Sequence, residues 1–80
     1  MTKFVFDELN KVPLKLKNYK AIDEVNGTEE EYDETKYYNQ YVEITESSYD
    51  LLSSNLVLYL ATNNNECLQT INKELRKYGL

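Results

Sequence analysis

Near the C-terminus, Cys67, Leu68, Ile71, Leu75 and Tyr78 recur at helical spacing and draw one apolar stripe. The local signals around the stripe agree with it. Asn63, Asn64 and Asn65 offer N-cap side chains, and Glu66 sits where the helix dipole favours an anion. Lys73, Arg76 and Lys77 crowd the last turns, and Gly79 stands at the position of a left-handed cap. The sequence therefore predicts a helix over 64–78. A helix with one apolar stripe must bury it against another layer, so the rest of the chain has to supply that layer.

Two upstream segments read as strands that do so. In 54–62, Leu56, Leu58 and Leu60 alternate with Val57, Tyr59 and Ala61, as in a central strand covered on both sides. In 38–46, Val42 and Ile44 face the core while Tyr41, Glu43 and Thr45 face out. Ser47 to Ser54 reads as a polar connection with Leu51 and Leu52 tucked inward. Farther upstream, Pro13 rules out a helix through it, and Leu14, Leu16, Tyr19 and Ile22 suit an extended segment over 14–22. Asn26-Gly27 signals a type I′ turn. Thr28 to Glu31 also reads as a capping box opening a helix from 29 to 39; the frequent Tyr and Thr there favour a strand and acidic loop instead. No internal repeat stands out. The expected fold is α+β, a small antiparallel sheet of about three strands with the C-terminal helix on one face. Its expected core is Leu56, Leu58, Leu60, Val42, Ile44, Leu68, Ile71 and Leu75, so Leu58→Asp should unfold it.

At 80 residues the chain makes a single domain, 1–80, too small to wall a deep catalytic cleft. It carries 9 basic and 14 acidic residues, a net charge of −5. Residues 23–50 hold ten acids and one base, while the remainder holds eight bases and four acids, leaving −9 against +4. That split bears on partners and association rate, and it argues against direct nucleic-acid binding by the middle segment. One cysteine allows no internal disulfide, and the three-residue apolar run before Asp7 is too short for a secretory segment. Together with the lack of any apolar run of about 18 residues, this fits a cytoplasmic protein without a membrane segment. Eight lysines, nine asparagines and few Gly, Ala, Arg or Pro point to an A/T-rich genome, a low-GC bacterium or an element living in one.

Tests for chemistry fail. The absence of histidine removes the common general base and metal ligand, and with a single cysteine leaves no zinc site. An EF-hand register on Gly27 places Ile22 first and Asp33 twelfth, which does not fit. Glu43 with Glu46, or Glu29 with Asp33, read as solvated surface acids rather than a carboxylate pair, and Cys67 reads as a packing residue. No catalytic residue, cofactor or metal is expected. The informative pattern is acid interleaved with tyrosine. Asp23, Glu24, Glu29, Glu30, Glu31, Asp33 and Glu34 supply charge, and Tyr32, Tyr37, Tyr38 and Tyr41 supply rigid, amphipathic contact area. Acids on one side of a strand recur at about 6.7 Å, near the spacing of phosphates along a nucleic-acid strand. The plainer reading of the same pattern is a solubilising loop.

The run from Asp23-Glu24 through Glu29-Glu30-Glu31-Tyr32-Asp33-Glu34, in a short acidic chain, resembles small phage-encoded anti-defence proteins, among them acidic anti-CRISPR proteins and other DNA mimics. The resemblance implies a non-catalytic inhibitor, acting in the host cytoplasm as monomer or homodimer. It would block the basic surface of a nucleic-acid-binding protein or effector complex. Lys11, Lys15, Lys17 and Lys20 depart from that type and would pair internally with the acids. The alternative is a structural or regulatory subunit of a phage or bacterial assembly, acting through protein contacts.

Overall fold

The computed structural model describes residues 2–32, 35 and 39–80. Five strands, β1 (Lys3–Asp7), β2 (Val12–Lys17), β3 (Lys20–Asp23), β4 (Thr28–Glu31) and β5 (Tyr41–Ile44), precede two helices, α1 (Glu46–Thr62) and α2 (Asn65–Arg76). The strands form one antiparallel sheet in the order β4-β3-β2-β1-β5. The α+β class and the C-terminal helix agree with expectation, while the sheet has five strands among the described residues and a second helix accompanies the first.

The expected strand over 14–22 is a hairpin. Asn18 and Tyr19 have φ of 52° and 60°, and two consecutive positive φ values make the I′-type reversal that joins β2 to β3. At Asn26-Gly27 only Gly27 is left-handed, with φ of 72°, and its N–H reaches the Asp23 carbonyl at 2.9 Å in a longer loop. Tyr19 is an unusual occupant of its site. Its Cβ crowds the backbone at positive φ, and its ring is 89% exposed with no packing to offset the strain. Tyr19→Gly is expected to stabilise the domain by about 0.5 kcal/mol, the relief being partly cancelled by the freer unfolded chain. A rise in the urea midpoint at unchanged slope would show it; an unchanged or lower midpoint would refute it.

The structure also contains a repeated turn. Asp7-Glu-Leu-Asn10-Lys11 and Asp23-Glu-Val-Asn26-Gly27 join β1 to β2 and β3 to β4. In both, the aspartate Oδ1 accepts the asparagine N–H, at 3.1 and 3.0 Å, and Oδ2 accepts its Nδ2, at 2.8 Å each. Both end in a left-handed residue, Lys11 with φ of 56° and Gly27 with φ of 72°. The aspartate takes up amides that the turn leaves without strand partners.

Register places Phe4, Phe6 and Ile44 on one face of the sheet, where they pack with Tyr49, Leu52 and Ile71 from the helices. Val5, Leu14, Leu16, Ala21 and Tyr41 share the other face and are buried as well. Tyr41 was expected to point out; because both faces of the central sheet are buried, it does not.

The largest correction concerns 46–62. Thr45 caps a helix there, its Oγ1 accepting the Ser48 N–H at 3.1 Å, and the helix ends at Asn63, left-handed at φ 56°. The expected strand over 54–62 is its C-terminal half. An apolar run without polar alternation suits a buried strand or a helix equally, so period cannot arbitrate. Length and residue type do: seventeen residues without Gly or Pro, rich in leucine, favour a helix. The helix buries Ser48, Tyr49 and Leu52 and leaves Leu58 and Leu60 49% and 57% exposed. Both therefore leave the expected core, as does Leu68 at 36%. Ile44 and Ile71 are buried as expected, and Leu56, Val42 and Leu75 are half-buried.

Helix α2 follows the sequence closely. Asn64 caps it through the Glu66 N–H at 2.9 Å, Lys73 and Arg76 occupy its last turn, and Gly79 is left-handed at φ 77°. Cys67 is buried on its inner side, consistent with packing.

Candidate partner-binding surface

Glu29, Glu30 and Glu31 fill β4, an outermost strand, and all three are exposed. Pairing with β3 fixes their backbone: Ile22 lies opposite Glu29, Ala21 opposite Glu30 and Lys20 opposite Glu31. Successive side chains therefore project from alternate faces of the sheet's edge, so the charge surrounds the strand rather than one side of it. Three consecutive acids also deter another strand from pairing there.

The other acids divide by role. Asp23 is committed to its turn through Asn26. Glu24 accepts a hydrogen bond from the Tyr49 hydroxyl and pairs with Lys15 at 3.0 Å. The Tyr49 hydrogen bond, and after it Lys15, holds the Glu24 carboxyl below its ordinary range. Burial, and then the same carboxylate, pushes the Tyr49 hydroxyl well above its own. Lys15 also lies over the Tyr49 ring, 5.6 Å from its centroid. Glu24 is thus part of a packed contact between the β3–β4 turn, β2 and α1. No local pattern signals this contact, since Tyr49 lies far along the chain from Lys15 and Glu24.

Lys20 pairs with Glu29 at 3.0 Å, so two lysines of the basic stretch do neutralise acids internally. An exposed pair of this kind contributes only about 0–1 kcal/mol and exchanges readily for a partner's cation. Tyr32 is half-buried against the Val5 face, and Tyr41 is buried on it, which removes Tyr41 as a docking residue. Asp33, Glu34, Tyr37 and Tyr38 lie outside the described residues. Of the expected site, the structure brings together Glu29, Glu30 and Glu31 on one strand, with Tyr32 immediately beyond.

Beside this edge, a depression of about 370 Å³ is lined by residues that include Asp7, Asp23, Asn26, Thr28 and Glu30. Its size and polar lining suit a cationic side chain. At the opposite end of β3 lies a shallower groove of about 250 Å³ whose lining includes Lys3, Lys17, Lys20, Tyr19 and Tyr32. Charge on this sheet is therefore zoned.

Glu74 is the buried acid of the helical layer, and it is fully engaged. The Ser48 hydroxyl donates to it at 2.6 Å and Lys77 pairs with it at 2.8 Å. Lys77, and then Ser48, hold its carboxyl below the usual range. The Ser48 hydroxyl also meets the Tyr78 hydroxyl at 2.7 Å, and Tyr78 accepts the Thr45 N–H at 3.1 Å. This network ties the start of α1 to the end of α2, a structural use of a carboxylate.

Among the described residues no three His, Cys, Asp or Glu gather as metal ligands, and no helix is long and apolar enough to cross a membrane. Comparison with protein-family models, curated proteins and solved structures finds no match.

Proposed function

We propose that this chain is a non-catalytic, protein-binding inhibitor that occupies the basic surface of a nucleic-acid-processing protein, as acidic anti-defence proteins do. The observation that carries the reading is β4: three consecutive glutamates, all exposed, on a backbone fixed by pairing to β3. A fixed row of acids loses little conformational freedom on docking, so more of its attraction appears as affinity. Glu29 and Glu31 lie about 6.7 Å apart along one side of the strand, near the spacing of consecutive phosphates. The adjacent depression, whose lining includes the exposed Glu30, offers a seat for an arginine or lysine from the partner.

The test uses the tagged chain and its E29Q/E30Q/E31Q variant against the lysate of a low-GC bacterium at low and high salt. Retained proteins are identified by mass spectrometry, and each is assayed for release of a bound fluorescent oligonucleotide. The unaltered chain should retain a nucleic-acid-binding protein at low salt and displace its oligonucleotide. Retention should fall as salt rises, because screening weakens steering between exposed charges. A partner held equally by the triple variant, or one that keeps its oligonucleotide, would refute the reading.

A second reading, a subunit of a larger assembly, draws support from a different observation. Val57, Leu58 and Leu60 of α1 are each about half exposed or more, and exposed apolar side chains on one helix offer surface for protein contacts. Association through it would resist salt.

A further inference from the structure

Helix α1 holds the longest uncharged stretch of the chain. Residues 51–65 contain no acid or base, in a sequence that is 29% charged. Ser54, Asn55, Leu58, Ala61 and Thr62 lie 3, 4, 7, 10 and 11 residues beyond Leu51, and so form a single stripe along the helix. Leu51, Ser54, Leu58, Ala61 and Thr62 are exposed, and Asn55 is half-buried.

The polar members of that stripe turn their donors back onto their own helix. Ser54 Oγ donates to the Asp50 carbonyl at 2.7 Å, Asn55 Nδ2 to the Leu51 carbonyl at 2.8 Å, and Thr62 Oγ1 to the Leu58 carbonyl at 2.7 Å. A polar donor that loses water without a replacement costs free energy. The Ser54 and Thr62 hydroxyl donors already have their replacement, as does one of the two Asn55 N–H groups, so an apolar surface can cover the stripe with little loss if the half-buried Asn55 stays at its margin.

We propose that this stripe docks against the same stripe of a second copy, the two α1 helices running antiparallel about a two-fold axis beside Leu56. In that register Leu51 of each copy meets Ala61 of the other, and Leu58 meets Ser54. Each large side chain faces a small one, in both directions at once, as a self-complementary interface requires. Charge selects the occupant. Two molecules of net charge −5 repel one another, and the repulsion is least along 51–62, where Asp50 at the end of each stripe is the nearest ionised side chain and the two-fold axis holds the two copies of it far apart. A strongly acidic or basic partner would gain nothing from an uncharged face.

The stripe spans about 16 Å of helix, which makes a small interface, so the dimer should be weak, with a dissociation constant on the order of tens of micromolar. Sedimentation of the full chain tests this from micromolar to millimolar concentration, at low and high salt. A reversible monomer–dimer equilibrium is expected, unchanged or tightened by salt as the repulsion is screened. Leu58→Glu should remain monomeric throughout while keeping its thermal melt. Ala61→Lys, which removes no packed side chain, should do the same. Leu60→Glu lies about 160° around the helix and should dimerise like the parent. A parent chain that stays monomeric at millimolar concentration would overturn the proposal. So would a dimer that survives both L58E and A61K, or one that only L60E abolishes. The E29Q/E30Q/E31Q variant should dimerise normally, so this outcome and that of the β4 reading are separable.

Discussion

Leu52→Ala is expected to cost about 2–5 kcal/mol, a large part of the whole stability of a domain this size. Leu52 is 1% exposed and packs where α1 meets the sheet, against a group that includes Phe6, Ile44 and Tyr49. Truncation leaves a cavity that the surrounding elements cannot collapse into, because strands β1 and β5 hold one wall and α2 the other. Leu58→Asp makes the contrast. The sequence reading expects it to unfold the protein, whereas the structure leaves Leu58 half in solvent. Its cost should be about 1 kcal/mol or less, mostly the poorer helix propensity of aspartate. Urea denaturation followed by circular dichroism at low micromolar concentration separates the two. Equal destabilisation by both, or a larger effect at Leu58, would mean that 54–62 is the buried strand after all.

The second large effect is expected at Asp7. Its Oδ1 accepts the Leu9 and Asn10 N–H groups at 3.0 and 3.1 Å and Gln40 Nε2 at 2.7 Å, while Oδ2 accepts Asn10 Nδ2 at 2.8 Å. The residue is 3% exposed, so little water replaces a lost acceptor. Asp7→Ala should cost about 3 kcal/mol, since hydrogen bonds to a charged group are strong and several donors are stranded at once. Gln40 also accepts the Glu8 N–H at 2.9 Å, so the variant loosens the approach to β5 as well as the first turn. Asp23→Ala breaks the matching bonds in the twin turn, where water reaches the site, and should cost only about 1 kcal/mol. Asp7→Asn should recover most of the loss, because Asn10 can rotate its amide and accept from the new one. Equal costs at Asp7 and Asp23 would show that the turn chemistry, not its burial, sets the energy. No recovery in D7N would show that the charge itself is required.

These two sites mark what a reader of the sequence can and cannot reach. The twin turns were legible as Asp-Glu-Leu-Asn and Asp-Glu-Val-Asn, sixteen residues apart, yet the Asn-Gly pair drew attention to a tighter reversal. The actual tight reversal, Asn18-Tyr19, carries a residue poorly suited to it, so composition hid it. The acidic site was legible as charge, and Glu29, Glu30 and Glu31 are exposed on one strand. Its tyrosines were less so, because a tyrosine beside acids reads the same whether it docks a partner or, like Tyr41 and Tyr49, fills the core.

Where one helix carries its own cap, stripe, charge bias and stop, as α2 does, short-range interactions suffice and the residues alone determine the element. Residues 46–62 have a cap at Thr45 and a stop at Asn63 but no single apolar stripe: the apolar run 56–61 satisfies a buried strand and a helix alike. Leucine-rich composition tips them toward a helix, and the sheet agrees: β1 has β2 on one edge and β5 on the other, which leaves no place beside it for another strand. That arrangement rests on contacts between residues some 40 positions apart, such as Phe4 with Ile44. Local propensity carries no record of such a pairing, because its energy appears only once distant segments have met.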